Sequence, residues 1–499
     1  MVAEGLLPRV VGGARGSEAQ LPSGVDRDRV DAELRRVSAG YLHLELVAMP
    51  PTWRGNRRPL FTFATFDGEL TPTQLLDFHR VARDLGLPNP RPLTRRLVEA
   101  ASLCHPLLFT RLAGSEHAPP GLRAAKLLVR PEAELPPATH RYYLQSLLFL
   151  AGCTLTPAIV QGRFSSGTIE SKLLRLWQAG QYARRFDFAE LRELELERLV
   201  LDCVERGSTS AESLIAIKRA YGQALRSLAG GLAFERTQLR AARLTAAQRR
   251  RFGFVESLRG SLGRNLECVI AYGSSVTSEV FADYDLLVVV SDADAALRSL
   301  AGSRPSFGGK ELNLGIYGSD DYVPFQATSG DNLDQAALCL YGEAEVPIKP
   351  VPDLLVRNLS FGFVRLRQIL GLGGFLAAQP VREIDARDLS LYEYFVKIPM
   401  HVMKGMRSVG GEPVPKELLH EWAARDLGYD LELQLELLSS GQLGEAIARA
   451  CCATEEMLEH LNDRYAIFRL VPAPDGDCWT SLERESNVDV DARDRAATS

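Results

Sequence analysis

Two carboxylates one residue apart, Asp283 and Asp285, stand at the head of the aliphatic run Leu286–Val290. Side chains alternate faces along a strand, so Asp283 and Asp285 would share one face and Tyr284 would take the other. Carboxylates held that close repel, and one becomes partly protonated unless a cation lies between them. Mg²⁺ resolves the conflict. It takes oxygen ligands, commonly one or two protein carboxylates, with water and substrate phosphates completing the shell. Upstream, Gly273-Ser274-Ser275 ends a first apolar run, Cys268–Tyr272. Glycine lets the backbone approach a ligand closely, and serine hydroxyls with the amides that follow suit phosphate oxygens. The chemistry that these residues could do is therefore the handling of a triphosphate and its metal ions.

The order is an apolar strand, Gly273-Ser274, eight residues, Asp283-Tyr284-Asp285, then aliphatics. It resembles the signature of the nucleotidyltransferase superfamily that includes DNA polymerase β, CCA-adding enzymes, poly(A) polymerases and aminoglycoside-modifying nucleotidyltransferases. The resemblance spans residues 255–350 and is nearest in look to the small-molecule-modifying members. It implies a polymerase β-like core, Mg²⁺ on Asp283 and Asp285, and nucleotide phosphates on Gly273, Ser274 and Ser275. It also implies transfer of a nucleoside monophosphate from a nucleoside triphosphate to a hydroxyl acceptor, with pyrophosphate release. The family places a third carboxylate on a following strand, here Lys310–Gly318. The position between Leu312 and Leu314 is Asn313, a departure from the pattern. An amide offers a carbonyl ligand but cannot accept a proton at neutral pH. Glu311, two residues earlier and on the same strand face, is the expected substitute, with Asn313 as a neutral ligand the alternative. Helices after the core often close the nucleotide cleft in this family. On that ground Lys397 and Lys404, seven apart in a helical segment, are expected to contact nucleotide phosphates; Lys310 and Lys349 are weaker candidates.

Two other readings stay open. One is a toxin-like enzyme that modifies a protein or the end of a tRNA. The other is a nucleotide-binding module with weakened chemistry and a scaffold or regulatory role.

The 499-residue chain is too long for one core. Its 46% hydrophobic and 24% charged residues are those of a soluble globular protein. The net charge of -5 gives no support to broad electrostatic capture of nucleic acid. The eight cysteines form no CxxC and read as reduced thiols of a cytoplasmic protein. No leader and no apolar run long enough to span a membrane is expected. The eight histidines form no HxH or HxxxH pair, so no zinc site and no histidine-based nucleophile is assigned.

The elements that must position these residues make a multidomain α+β chain. Residues 1–28 read as a disordered tail and 29–139 as an α+β domain. Strands are expected in Tyr41–Met49, Pro59–Phe66 and Arg123–Glu132, and a helix after Thr71, signalled by Pro72 and a closing Gly86. Residues 140–250 read as helical and 251–350 as the nucleotidyltransferase core, a mixed sheet with helices. Residues 351–470 read as a C-terminal helical domain and 471–499 as a disordered acidic tail.

Overall fold

The structure, a computed structural model, describes residues 26–48, 60–94, 97, 144, 148–149, 152–162, helical positions between 169 and 183, 196–205, 209–229, 235–328, 333, 337–348, 366, 369, 392–408, 416–465, 469–472 and 479–483. The strand expected at Arg123–Glu132, together with Lys349, lies outside them. The chain divides into two compact units. One holds residues 1–143, 358–406 and 417–499; the other holds 144–357 and 407–416. The N-terminal α+β segment thus shares a unit with the C-terminal helices, and the helical middle shares one with the sheet that carries Asp285. No helix among the described residues is long and apolar enough to cross a membrane.

In the first unit, the helix Arg27–Val37 buries Val30, Leu34 and Val37, one face at helical spacing. β1 (Tyr41–Ala48) pairs antiparallel with β2 (Leu60–Phe66), and β2 pairs parallel with β3 (Pro90–Thr94). The crossover from β2 to β3 is the helix Pro72–Asp84. Its start is fixed by a reciprocal cap in which Thr71 and Gln74 side chains each accept the other's backbone N–H. It buries Leu75, Phe78, His79 and Ala82. Phe66 packs edge-on to both Tyr41 and Phe78. His79 is 1% exposed, and neither ring nitrogen has a hydrogen-bond partner. Burial, with Arg91 nearby, pushes its pKa down to about 3. The helix Leu443–Tyr465 packs on Pro72–Asp84. The Cys452 thiol donates to the Leu70 carbonyl (3.2 Å), and Thr94 Oγ1 donates to Glu455.

Part of the tail expected to be disordered is ordered instead. Arg469–Pro472 and Trp479–Glu483 form an antiparallel pair.

The second unit is built on a five-stranded mixed sheet in the order β7-β8-β6-β5-β9. Its strands are β5 (Leu266–Tyr272), β6 (Tyr284–Val290), β7 (Ser306–Phe307), β8 (Lys310–Gly318) and β9 (Ala337–Tyr341). β5 runs antiparallel to both β6 and β9, whereas β6 and β8 are parallel. A parallel neighbour requires a crossover, which the helix Ala293–Leu300 supplies. β7 pairs with Lys310 and Glu311 of β8. Beyond it the outer edge of β8 is met by the helix Leu155–Gln161: Ile316 N–H donates to Thr156 Oγ1 (3.4 Å), and Gln161 Nε2 donates to Leu312 O (2.9 Å). An edge strand's backbone groups need partners, and these two side chains provide them.

Residues 140–250, expected to be helical, contain a strand. Glu235–Arg240 (β4) pairs antiparallel with Glu343–Ile348 (β10). Ion pairs Arg236–Glu345 and Arg240–Glu343 face each other across it. Its residues are exposed or half-exposed throughout, so it lacks the apolar alternation that marks a strand in sequence.

Candidate functional site

The site is built where β5 ends and β6 begins. Tyr272, the last residue of β5, is in register with Asp285, and Asp285 is in register with Asn313 of β8. Residues in register on neighbouring strands point to the same face, so Asp285 and Asn313 meet. Asn313 Nδ2 donates to Asp285 Oδ1 at 2.9 Å. The second carboxylate oxygen lies against the glycine turn: a Cβ on Gly273 would stand 2.8 Å from Asp285 Oδ2. Gly273 has φ 72° and ψ -155°, a conformation essentially reserved for glycine. The turn continues into a single helical turn, Ser274–Thr277.

Tyr284 takes the opposite face. Its ring packs edge-on against Phe252, Phe254, Phe281 and Phe307, and its hydroxyl donates to the Arg251 carbonyl (3.0 Å). Strand β6 starts at Tyr284, so strand alternation governs Asp285. Asp283 sits in the bend just before it and is half-buried.

Sequence reasoning missed the group that holds this bend. Arg251 Nη1 donates to the carbonyls of Ser275 and Ser278, both at 3.1 Å. Its guanidinium lies 5.2 Å from the Phe281 ring centroid. Lys310 Nζ stands 4.0 Å from the same centroid and donates to the Phe281 carbonyl. Two cations therefore flank one aromatic ring, a favourable arrangement of positive charge on a π face. Together they fasten the segment that joins the glycine turn to Asp283. No spacing rule links Arg251 to partners 24 and 27 residues away. Lys310, read as a phosphate candidate, instead uses its ammonium group on this bend.

The remaining candidates fall in different places. Ser275 is buried and its hydroxyl donates to the Tyr272 carbonyl (3.3 Å), while Ser274 is half-exposed. Glu311 is in register with Ser306 of β7 and is half-buried, two residues before Asn313 on the same strand face. Lys397 and Lys404 belong to the first unit. Lys397 is 3.5 Å from Glu393, and Lys404 is exposed.

Asp283 and Asp285 supply two carboxylates, with the Asn313 amide bonded to the second. These are donor types that Mg²⁺ takes when water and phosphate oxygens are its other ligands. Among the described residues no group of three or more His, Cys, Asp or Glu is placed to hold a metal ion. Compared with protein-family models, curated proteins and solved structures, the chain matches none.

Proposed function

We propose that the chain is a nucleotidyltransferase that takes a nucleoside triphosphate with Mg²⁺ and passes the nucleoside monophosphate to a hydroxyl acceptor. The observation that carries this reading is the contact of Gly273, Asp285 and Asn313, in which a glycine-serine turn meets the Asp285 carboxylate at one end of one mixed sheet. Asp283 and Asp285 would hold the metal, which when bound neutralises phosphate charge. Ser274 and the backbone amides after Gly273 would face phosphate oxygens. Asn313 fixes the rotamer of Asp285, so little reorganisation is left for the moment of reaction. Of the acidic groups on this face of β8, Glu311 is the one that could take the acceptor's hydroxyl proton. Catalysis of this kind rests on positioning and charge rather than covalent chemistry. The free thiols fit a cytoplasmic setting.

The distribution of arginine favours a second reading of the acceptor. Residues 236–264 carry Arg236, Arg240, Arg243, Arg249, Arg250, Arg251, Arg259 and Arg264 in a chain of net charge -5. The segment runs from β4 past the outer edge of β9, where Ala241 and Ala242 donate to Gly342 and Cys339 carbonyls, to Arg251 at the site. Arg243, Arg249 and Arg250 are exposed. Arg236, Arg240 and Arg259 are ion-paired, so it is Arg243, Arg249 and Arg250 that suit a polyanionic acceptor, as a tRNA end would be, better than a cationic small molecule.

The test is pyrophosphate release from each of the four nucleoside triphosphates with Mg²⁺, with and without RNA. Asp283→Asn and Asp285→Asn are expected to lower turnover by at least about 100-fold, the scale of losing a main electrostatic stabiliser. Turnover equal to the parent's in both variants overturns the reading. Tight metal-dependent nucleotide binding without turnover in the parent points instead to a nucleotide-binding module.

A further inference from the structure

Cys268 and Cys339 lie on adjacent antiparallel strands, β5 and β9, with their sulfurs 3.6 Å apart. Both are buried, at 0% and 2% exposure. Cys339 is in register with Ile270, two residues along β5 from Cys268, so both thiols stand on one face of the sheet. It is the face that also carries Tyr272 and, opposite it, Asp285. We propose that Cys268 and Cys339 are a modification site: a small peroxide oxidises them to a cross-strand disulfide. This inference stands apart from the reading of Asp283 and Asp285.

Three observations support it. A disulfide needs sulfurs at about 2.0 Å, so closing the pair takes roughly 1.5 Å of movement, within reach of side-chain rotation and a small strand shift. β9 can supply that shift. It is the edge strand of its sheet, only five residues long, and its ladder with β5 slips register between Val269 and Ile270. Such a bulge leaves one residue unpaired and makes an edge locally adaptable. The two thiols are also chemically unequal. The contact with Cys268 pulls the Cys339 pKa down, while the same contact and burial push Cys268 up; the Cys339 thiol also donates to the Tyr341 and Gly342 carbonyls at 3.4 Å, bonds that it gives up on ionising. Thiolate is the form that attacks peroxide.

The chemistry balances. The Cys339 thiolate attacks one peroxide oxygen, the O–O bond breaks, and hydroxide leaves a sulfenic acid behind. The Cys268 sulfur then attacks the sulfenic sulfur. The S–S bond forms, the S–O bond breaks, and the hydroxyl departs with the Cys268 proton as water. Two thiols and one peroxide give one disulfide and two waters. Access for a water-sized oxidant comes from local opening of β9, whose outer edge is held by the Ala241 and Ala242 amides.

The experiment treats the full-length folded chain with hydrogen peroxide, alkylates the remaining thiols in denaturant, and maps the peptides by mass. The expected result is a Cys268–Cys339 peptide pair lighter by two hydrogens, restored to two alkylated cysteines by dithiothreitol. Cys339→Ser and Cys268→Ala, each checked for native circular dichroism, should abolish the pair. In Cys268→Ala, Cys339 should instead accumulate as sulfenic acid trapped by dimedone. The proposal is overturned if both cysteines of the folded parent stay alkylatable at peroxide doses that oxidise exposed Cys153, or if they over-oxidise without pairing.

Discussion

Asn313 donates its amide to the Asp285 carboxylate at 2.9 Å, across two parallel strands whose register holds the two residues side by side. The neutral partner brings no further negative charge to Asp285 from β8. Asn313→Asp would place two carboxylates in that contact. Like charges so close raise the pKa of one of them above its unfolded value. The variant should therefore resemble the parent near pH 4 and lose stability as the pH rises toward 8. Mg²⁺ should restore more of the thermal midpoint in Asn313→Asp than in the parent. Identical melting of the two proteins at pH 8 in EDTA would rule this out.

Glu311 is the acidic group nearest in strand position to Asn313 and on its face. If it takes the acceptor proton, Glu311→Gln lowers Mg²⁺-dependent nucleotide turnover by about 10² to 10⁴-fold, the usual worth of a general base. Asn313→Asp should keep turnover or raise it. Silence of Glu311→Gln, with activity appearing only in Asn313→Asp, would mean that the natural chain binds nucleotide without transferring it.

Gly273 is held by both its backbone and its neighbour. Alanine there must adopt φ 72° and place its Cβ against Asp285 Oδ2. The backbone alone costs on the order of 1–3 kcal/mol. Gly273→Ala should lower the thermal midpoint and weaken nucleotide binding, because the carboxylate must move. Gly263→Ala is the control. It also has positive φ, but its added methyl meets open space. Equal nucleotide affinity in both variants would remove Gly273 from the site.

His79 links stability to pH. Its folded pKa of about 3 lies below the unfolded value of about 6.5. The neutral ring is therefore the folded form, and the stability present above pH 6.5 is lost as pH falls toward 3. The slope approaches roughly 1 kcal/mol per pH unit within that window. Urea unfolding of the parent and of His79→Leu at pH 7 and pH 4.5 should show a smaller loss in the variant. Parallel pH dependence in the two would show that His79 is not the titrating group.

Much of the architecture is written locally. Thr71, Pro72 and Gln74 announce a helix because the cap and the fixed proline φ act within one turn. The aliphatic run Leu286–Val290 announces a buried strand because burial on both faces demands apolar residues throughout. Asp285 was legible for the same reason: a charge at the mouth of such a strand has no packing role.

Other features depend on residues that no local rule connects. β4 is charged and exposed, and becomes a strand only because β10 arrives to pair with it, Arg236 meeting Glu345 109 positions later. Arg251 is one of three successive arginines, and folding alone selects it to hold the bend before Asp283. Cys268 and Cys339 are 71 residues apart and meet only because β9 returns beside β5. The sequence by itself determined the capped helix after Thr71 and the buried strand Leu286–Val290 with carboxylates at its head, since those follow from burial and backbone preferences over a few residues. The tertiary structure decided that Asn313 neighbours Asp285, that Glu311 is set one pair further out, and that the N-terminal sheet packs with the C-terminal helices. These are choices of register and long-range pairing, which many distant contacts fix together.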